Sequence, residues 1–207
     1  ASNFNGQDLT AWLYKNQKWD NYSPNLMIWS LIALDSGNYT AAKGYREGLI
    51  AQLVNYQHTS TGGFFFSSAW PADDVDMTAM AMIALAPYKN SNAKAKKMYN
   101  AGWKFIQSKA DDQYNYGGDS YDPCSTNAYV VIAKCATGQT GGDLDATVAW
   151  MLKNYLGKKG FNLNGEYNGM STYQGLLAMD AYQRASAGAT KLFDVKWPAN
   201  PITVKNV

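Results

Sequence analysis

Residues Met77–Leu85 read MTAMAMIAL, and three other stretches look like them: Leu26–Leu34 (LMIWSLIAL), Thr126–Lys134 (TNAYVVIAK) and Thr172–Ala181 (TYQGLLAMDA). Aligned on Ala33, Ala84, Ala133 and Ala178, they recur at spacings of 51, 49 and 45 residues. Such a period holds two helices and their loops, so the chain reads as a helical repeat. Each stretch is apolar nearly all the way round, which requires a helix enclosed by other helices.

The segments ahead of them, about 7–17, 40–57, 92–109 and 143–156, have a different character. In the third, Met98, Gly102, Phe105 and Ile106 make one stripe, while Lys94, Lys96, Lys97, Asn100 and Lys104 lie elsewhere. That is an amphipathic helix with one face toward the core. The expected fold is therefore all-α, with about four hairpins that each pair an outer helix with an inner one. Pro24, Pro71, Pro87, Pro123, Pro198 and Pro201 all fall outside the predicted helices, where a residue without an N–H belongs. Gly37, Gly138 and Gly188 follow inner helices as stop residues. Extended structure is suggested only in short pieces such as Gly63 to Phe66. We divide the chain into a repeat domain, 1–190, and a tail, 191–207, that abandons the helical period and reads as a covering segment or a linker to a further domain.

Composition narrows the function classes. The 207 residues are 46% hydrophobic, 14% aromatic and 16% charged, which excludes a disordered chain. A formal charge of +2 gives no footprint for a nucleic-acid partner. No apolar run reaches the length of about 18 residues that a membrane span needs. Two glutamates stand against 14 aspartates, 18 asparagines and 15 tyrosines, a polar surface that suits an exported protein. Ala1 reads as a processed start, with any leader upstream, and the chain as part of a larger one. Cys124 and Cys135 are 11 residues apart. On one helix that is about 16 Å, beyond disulfide reach, so both read as free buried thiols.

Between outer and inner helices lies Leu53-x3-Gln57-x4-Gly62-Gly63-Phe64, echoed by Phe105, Gln107 and Gly117-Gly118, and again by Gly160-Phe161. This resembles the Gln…Gly-x-aromatic repeat of the terpenoid cyclase and protein prenyltransferase superfamily. Asp73-Asp74-Val75-Asp76-Met77-Thr78-Ala79-Met80-Ala81 resembles the Asp-x-Asp-Asp-Thr-Ala segment of squalene–hopene-type cyclases. It is still more similar to segments in prenyltransferase-like domains of Gram-positive secreted and surface proteins. The resemblance covers about 7–188 and implies an α/α toroid, or an open arc of one. Members usually have five to seven hairpins. Four leave the ring incomplete, or narrow it so that Trp29, Met80, Met82 and Tyr129 fill the middle.

In the cyclases the third residue of the acidic motif protonates an alkene, and Asp76 holds that position here, with Asp74 at the first. The fourth position, normally Asp, is Met77. A strong carboxylic acid needs organised neighbours, which a thioether does not supply. Capping explains the acids more simply: Asp74 or Asp76 ahead of Met77 would satisfy orphan amides, as would Ser125 and Ser171 at comparable positions.

Other chemistries find little support. Protein prenyltransferases hold zinc through Asp, Cys and His, but His58 is the single histidine and reads as a solvated loop residue. We therefore expect no metal and no cofactor. There is no Gly-x-Ser-x-Gly, no thioester Cys-Gly-Glu-Gln and no phosphate loop. Asp111, Asp112, Asp119, Asp122 and Glu166 are expected in loops at the Asp74 end, together with Trp70, Tyr114, Tyr116, Tyr121 and Tyr167. These carboxylates raise the thought of a glycosidase pair, and the aromatic residues that of a sugar- or protein-binding rim.

The sequence is thus read as a non-catalytic module of an exported or surface-attached bacterial protein. It would take a small ligand, a glycan or a protein at Trp70, Asp73, Asp74, Tyr116 and Tyr121. The alternatives are a terpene cyclase-like enzyme with Asp76 as general acid, and a cobalamin-type carrier resembling intrinsic factor.

Overall fold

The computed structural model describes residues 6–15, 23–118 and 120–194. Within them the chain forms eight α-helices: α1 (Leu9–Lys15), α2 (Asn25–Ser36), α3 (Tyr45–Leu53), α4 (Val75–Leu85), α5 (Ala93–Ser108), α6 (Pro123–Thr137), α7 (Gly142–Tyr155) and α8 (Gly169–Ser186). Two small antiparallel sheets accompany them, β1 (Phe64–Ser67) with β2 (Trp70–Asp74) and β3 (Asn162–Leu163) with β4 (Glu166–Tyr167).

The even-numbered helices are the inner ones and form a row: α2 packs on α4, α4 on α6, and α6 on α8. The cause is compositional. α4 buries every residue from Met77 to Leu85, so it must have neighbours on all sides. α5 instead buries Ala95, Met98, Tyr99, Gly102, Trp103, Phe105 and Ile106 along one face against α4. Small residues permit close approach there, since a Cβ on Gly102 would lie 2.4 Å from Met82 Cε. Met82 thus points outward to α5 and not into a ring centre. Trp29 is 37% exposed and meets Phe193 edge-on, with ring centroids 5.9 Å apart.

Each inner helix after the first starts on a side-chain cap, but not the serines the sequence suggests. Asp74 Oδ1 accepts the Met77 amide at 2.7 Å, Asp122 Oδ1 the Ser125 amide at 3.1 Å, and Asn168 Oδ1 the Met170 and Ser171 amides at 2.9 and 3.0 Å. Ser125 and Ser171 stand three residues inside their helices, and both hydroxyls donate to Asp122. Pro123 lies inside α6 as its first residue, where its missing N–H costs nothing. α3 begins at Tyr45, later than the pattern near 40 implies, because Gly44 just before it takes a left-handed φ of 78°.

The sheets carry the loop motif. Gln57 Nε2 donates to the Gly62 carbonyl at 2.8 Å and the Met98 carbonyl at 2.9 Å, tying this loop to α5. Phe64 and Phe161 are fully buried, and their amides donate to Thr78 and Thr172 Oγ1 at 2.9 Å each. Gln107, the counterpart of Gln57 in the third repeat, is exposed.

At the opposite end, Asp35 of α2 binds Arg46 Nε at 2.8 Å and the Tyr88 hydroxyl at 2.7 Å. A hollow of about 380 Å³ lies there, lined in part by Asp35, Lys89, Lys191, Phe193 and Asp194, so the first described tail residues fold back on the helices. The tail from 195 onward, with Pro198 and Pro201, lies outside the described residues.

Candidate functional site

A cleft of about 760 Å³ opens at the N-terminal ends of α4 and α6. Its walls are the β1–β2 hairpin on one side and Gly118, Ser120, Tyr121 and Asp122 on the other. The hairpin is antiparallel, with Phe65 opposite Asp73 and Ser67 opposite Trp70, and a bulge between Phe65 and Ser67. That register brings Trp70 to the cleft and runs β2 straight into the cap of α4. Trp70 is 69% exposed and Tyr121, across the cleft, 88%.

The floor is acidic. Asp74 and Asp122 cap their helices, and Asp76 lies in the first turn of α4. Burial raises the Asp74 pKa, while its bonds to the Met77 and Asp76 amides oppose the rise. Asp76 is pushed up to about 7, first by burial, then by the carboxylates of Asp74 and Asp122, with the Thr126 hydroxyl pulling the other way. A carboxyl with this environment exchanges its proton near neutrality. Below the floor, Tyr129 of α6 is raised by burial and further by Asp76, and its hydroxyl accepts from Gln174 Nε2 of α8 at 3.2 Å. Gln174 Oε1 is buried and has no protein partner.

All five residues named from sequence line this cleft, but they occupy different layers. Trp70 and Tyr121 are free aromatic surfaces. Asp74 is engaged as a cap. Asp73 Oδ1 lies 2.7 Å from His58 Nδ1, and the His58 ring stacks on Phe65 with centroids 4.8 Å apart. His58 is thus a fixed member of the hairpin base rather than a loose loop residue. Tyr116 is only 4% exposed: its ring runs along α6 to place its hydroxyl 2.9 Å from Lys134 Nζ. It supports the wall and offers no rim surface.

Lys109 and Thr126 also line the cleft without a sequence signal, and Asp122, expected there as a loop carboxylate, lines it as the cap of α6. Asp122 carried a usable signal, since Asp-Pro at 122–123 is a cap followed by the preferred first helical residue. Asp111 is occupied in its own turn, its pKa lowered chiefly by the Asn115 amide. Glu166 and Tyr167 are exposed on β4, and Asp119 lies outside the described residues.

Other reactive groups are held inert. Cys124 and Cys135 are free and buried on α6, and burial pushes their thiols up to about 12 and about 11. Among the described residues no cluster of three His, Cys, Asp or Glu side chains is placed to hold a metal ion, and no helix is long and apolar enough to cross a membrane.

The chain was compared with protein-family models, curated proteins and solved structures, and none of the three matches it.

Proposed function

We propose that the chain is a non-catalytic binding module of an exported bacterial surface protein, and that its ligand is a glycan held in the cleft between Trp70 and Tyr121. The observation that carries this reading is the pairing of two exposed aromatic faces with a floor of Asp74, Asp76 and Asp122. Aromatic faces give rigid contact to the C–H faces of a sugar ring, and carboxylate oxygens accept from its hydroxyls. The row of inner helices, with the Gln57 and Gly62 loop that resembles the superfamily motif, supports reading the fold as an open arc of an α/α toroid.

The test is calorimetric titration with soluble peptidoglycan fragments. Trp70→Ala and Tyr121→Ala should each weaken binding about tenfold or more while leaving the melting temperature unchanged. Fragments that do not bind, or bind both variants as well as the parent, reject the glycan.

One observation favours a second reading, a cyclase-like enzyme: Asp76 is a carboxyl that retains its proton close to neutral pH. Against it stand the commitment of Asp74 and Asp122 to capping and the thioether of Met77 beside the acid. Incubation with squalene, read by gas chromatography, distinguishes the two. A cyclised isomer formed by the parent and missing with Asp76→Asn would displace the binding module.

A further inference from the structure

The charge of this protein is segregated. Residues 89–109 hold six lysines, Lys89, Lys94, Lys96, Lys97, Lys104 and Lys109, and no carboxylate. They are six of 18 cationic side chains, so the rest of the chain sets 12 against 16 carboxylates. A near-neutral total therefore conceals a strongly positive strip on a mildly negative body.

The strip is exposed along α5. α5 is about 24 Å long, and its buried face leaves Lys94, Lys96, Lys97 and Lys104 on the solvent side. Lys89, over the Tyr99 ring at 4.9 Å, extends it at one end, and Lys109, over the Phe105 ring at 5.5 Å, at the other. None of the six enters an ion pair among the described residues. Helix stability does not explain the pattern. Lysines crowd the start of α5, where the macrodipole disfavours cations, no acid lies in its first turn, and Asp111 and Asp112 follow its end. A surface placed there for solubility alone would intersperse both signs.

We propose that the exposed face of α5 is a docking surface for a linear phosphate polymer, recognised through its charge alone. An ammonium binds phosphate as a compact point charge. The aromatic residues of α5, Tyr99, Trp103 and Phe105, are all buried. The face therefore offers no platform for nucleobases or sugar rings, which disfavours single-stranded nucleic acid and acidic polysaccharide. It also offers no apolar wedge for a lipid surface. Lys109 also lines the glycan cleft, but Lys94, Lys96, Lys97 and Lys104 do not, so the face of α5 is tested apart from that site.

The probe is fluorescently end-labelled inorganic polyphosphate, followed by anisotropy between about 50 and 200 mM salt. The parent should bind at the lower salt and lose affinity steeply as salt rises. Replacing Lys94, Lys96, Lys97 and Lys104 together with Gln should weaken binding at least tenfold and flatten the log–log salt slope by roughly 3, at about 0.7 per contact. All four are exposed, so the far-ultraviolet circular dichroism should not change. The control replaces the exposed Lys153, Lys158 and Lys159 with Gln and should bind like the parent. The proposal is overturned if polyphosphate fails to bind, if the quadruple variant binds like the parent, or if the control loses as much. Tighter binding of single-stranded DNA, hyaluronate or phosphatidylglycerol vesicles than of polyphosphate overturns it equally.

Discussion

Thr78 Oγ1 accepts the Phe64 amide hydrogen at 2.9 Å while donating its own to the Asp74 carbonyl at 2.6 Å. One fully buried hydroxyl thus joins the cleft hairpin to the first turn of α4 and pairs the amide of the fully buried Phe64. Thr172, at a half-buried position, likewise accepts the Phe161 amide but donates to the Phe161 carbonyl at 3.1 Å rather than to its helix cap. Thr78→Val keeps the shape and leaves the Phe64 amide without a partner, which should cost about 2 kcal/mol. Thr172→Val should cost less, since water can reach that site. Urea unfolding of both variants gives the comparison, and equal losses would separate the hydroxyl from this role.

Gly62 has a φ of +85°, and a Cβ there would stand 2.5 Å from the Ala101 carbonyl oxygen of α5. Backbone cannot swing aside as a side-chain end can. Gly188 has a φ of +63° with nothing near its absent Cβ. Ala at Gly188 should cost about 1 kcal/mol from conformation alone. Ala at Gly62 adds the collision and should cost roughly 3 kcal/mol. Thermal unfolding of the two variants measures the difference. A similar loss in both would mean that loop and helix are not held in contact.

Helix α4 was legible because its burial is complete from Met77 onward, whereas α8, read as equally enclosed, leaves Tyr173 and Leu176 each 60% exposed. A stretch such as MTAMAMIAL admits no exposed face, and the stripe on α5 admits only one. What the pattern hides is where the caps lie. Aligning repeats on apolar runs pairs Ser125 with Ser171, and both are real equivalents. They fall at the third helical residue, however, because Pro123 and Gly169 already belong to their helices. The β1–β2 hairpin was half visible. Phe64 to Phe66 reads as extended, but Trp-Pro-Ala-Asp-Asp has no alternation, and only pairing across the turn makes it a strand. Tyr116 shows the limit at the site. A tyrosine in a loop rich in Gly and Asp reads as rim, and nothing local reveals a buried lysine 18 residues on to receive its hydroxyl.

That lysine carries a prediction of its own. Lys134 is buried, while its partner Asp143, at 2.5 Å from Oδ2 to Nζ, is half exposed. Removing the carboxylate leaves a buried charge with only a phenol beside it, so Asp143→Asn should cost about 2 kcal/mol. Lys134→Met removes the charge and leaves Asp143 to water, and should cost less. The Lys134 bond holds the Asp143 pKa below its ordinary value. Its contribution is therefore present at neutral pH and lost as pH falls through the folded pKa, below about 4. Chemical denaturation at pH 7 and pH 3 checks both points. An equal loss for the two variants would contradict the asymmetry of burial.

Asp76 should give the opposite pH dependence. Its pKa rises from 3.8 unfolded to about 7 folded, so between those values the folded chain holds more protons than the unfolded one. Stability then falls as pH rises across that window, and above it the folded state carries an ionised, desolvated carboxylate. Three units correspond to about 4 kcal/mol, and partial access to water brings the expected effect down to about 2 kcal/mol. Asp76→Asn keeps the shape without the charge. It should be close to neutral at pH 4 and stabilising at pH 8, with the two stability curves separating between pH 5 and 7. Parallel curves would mean that Asp76 ionises as an ordinary surface acid, and the acidic floor of the cleft would then be fully charged at neutral pH.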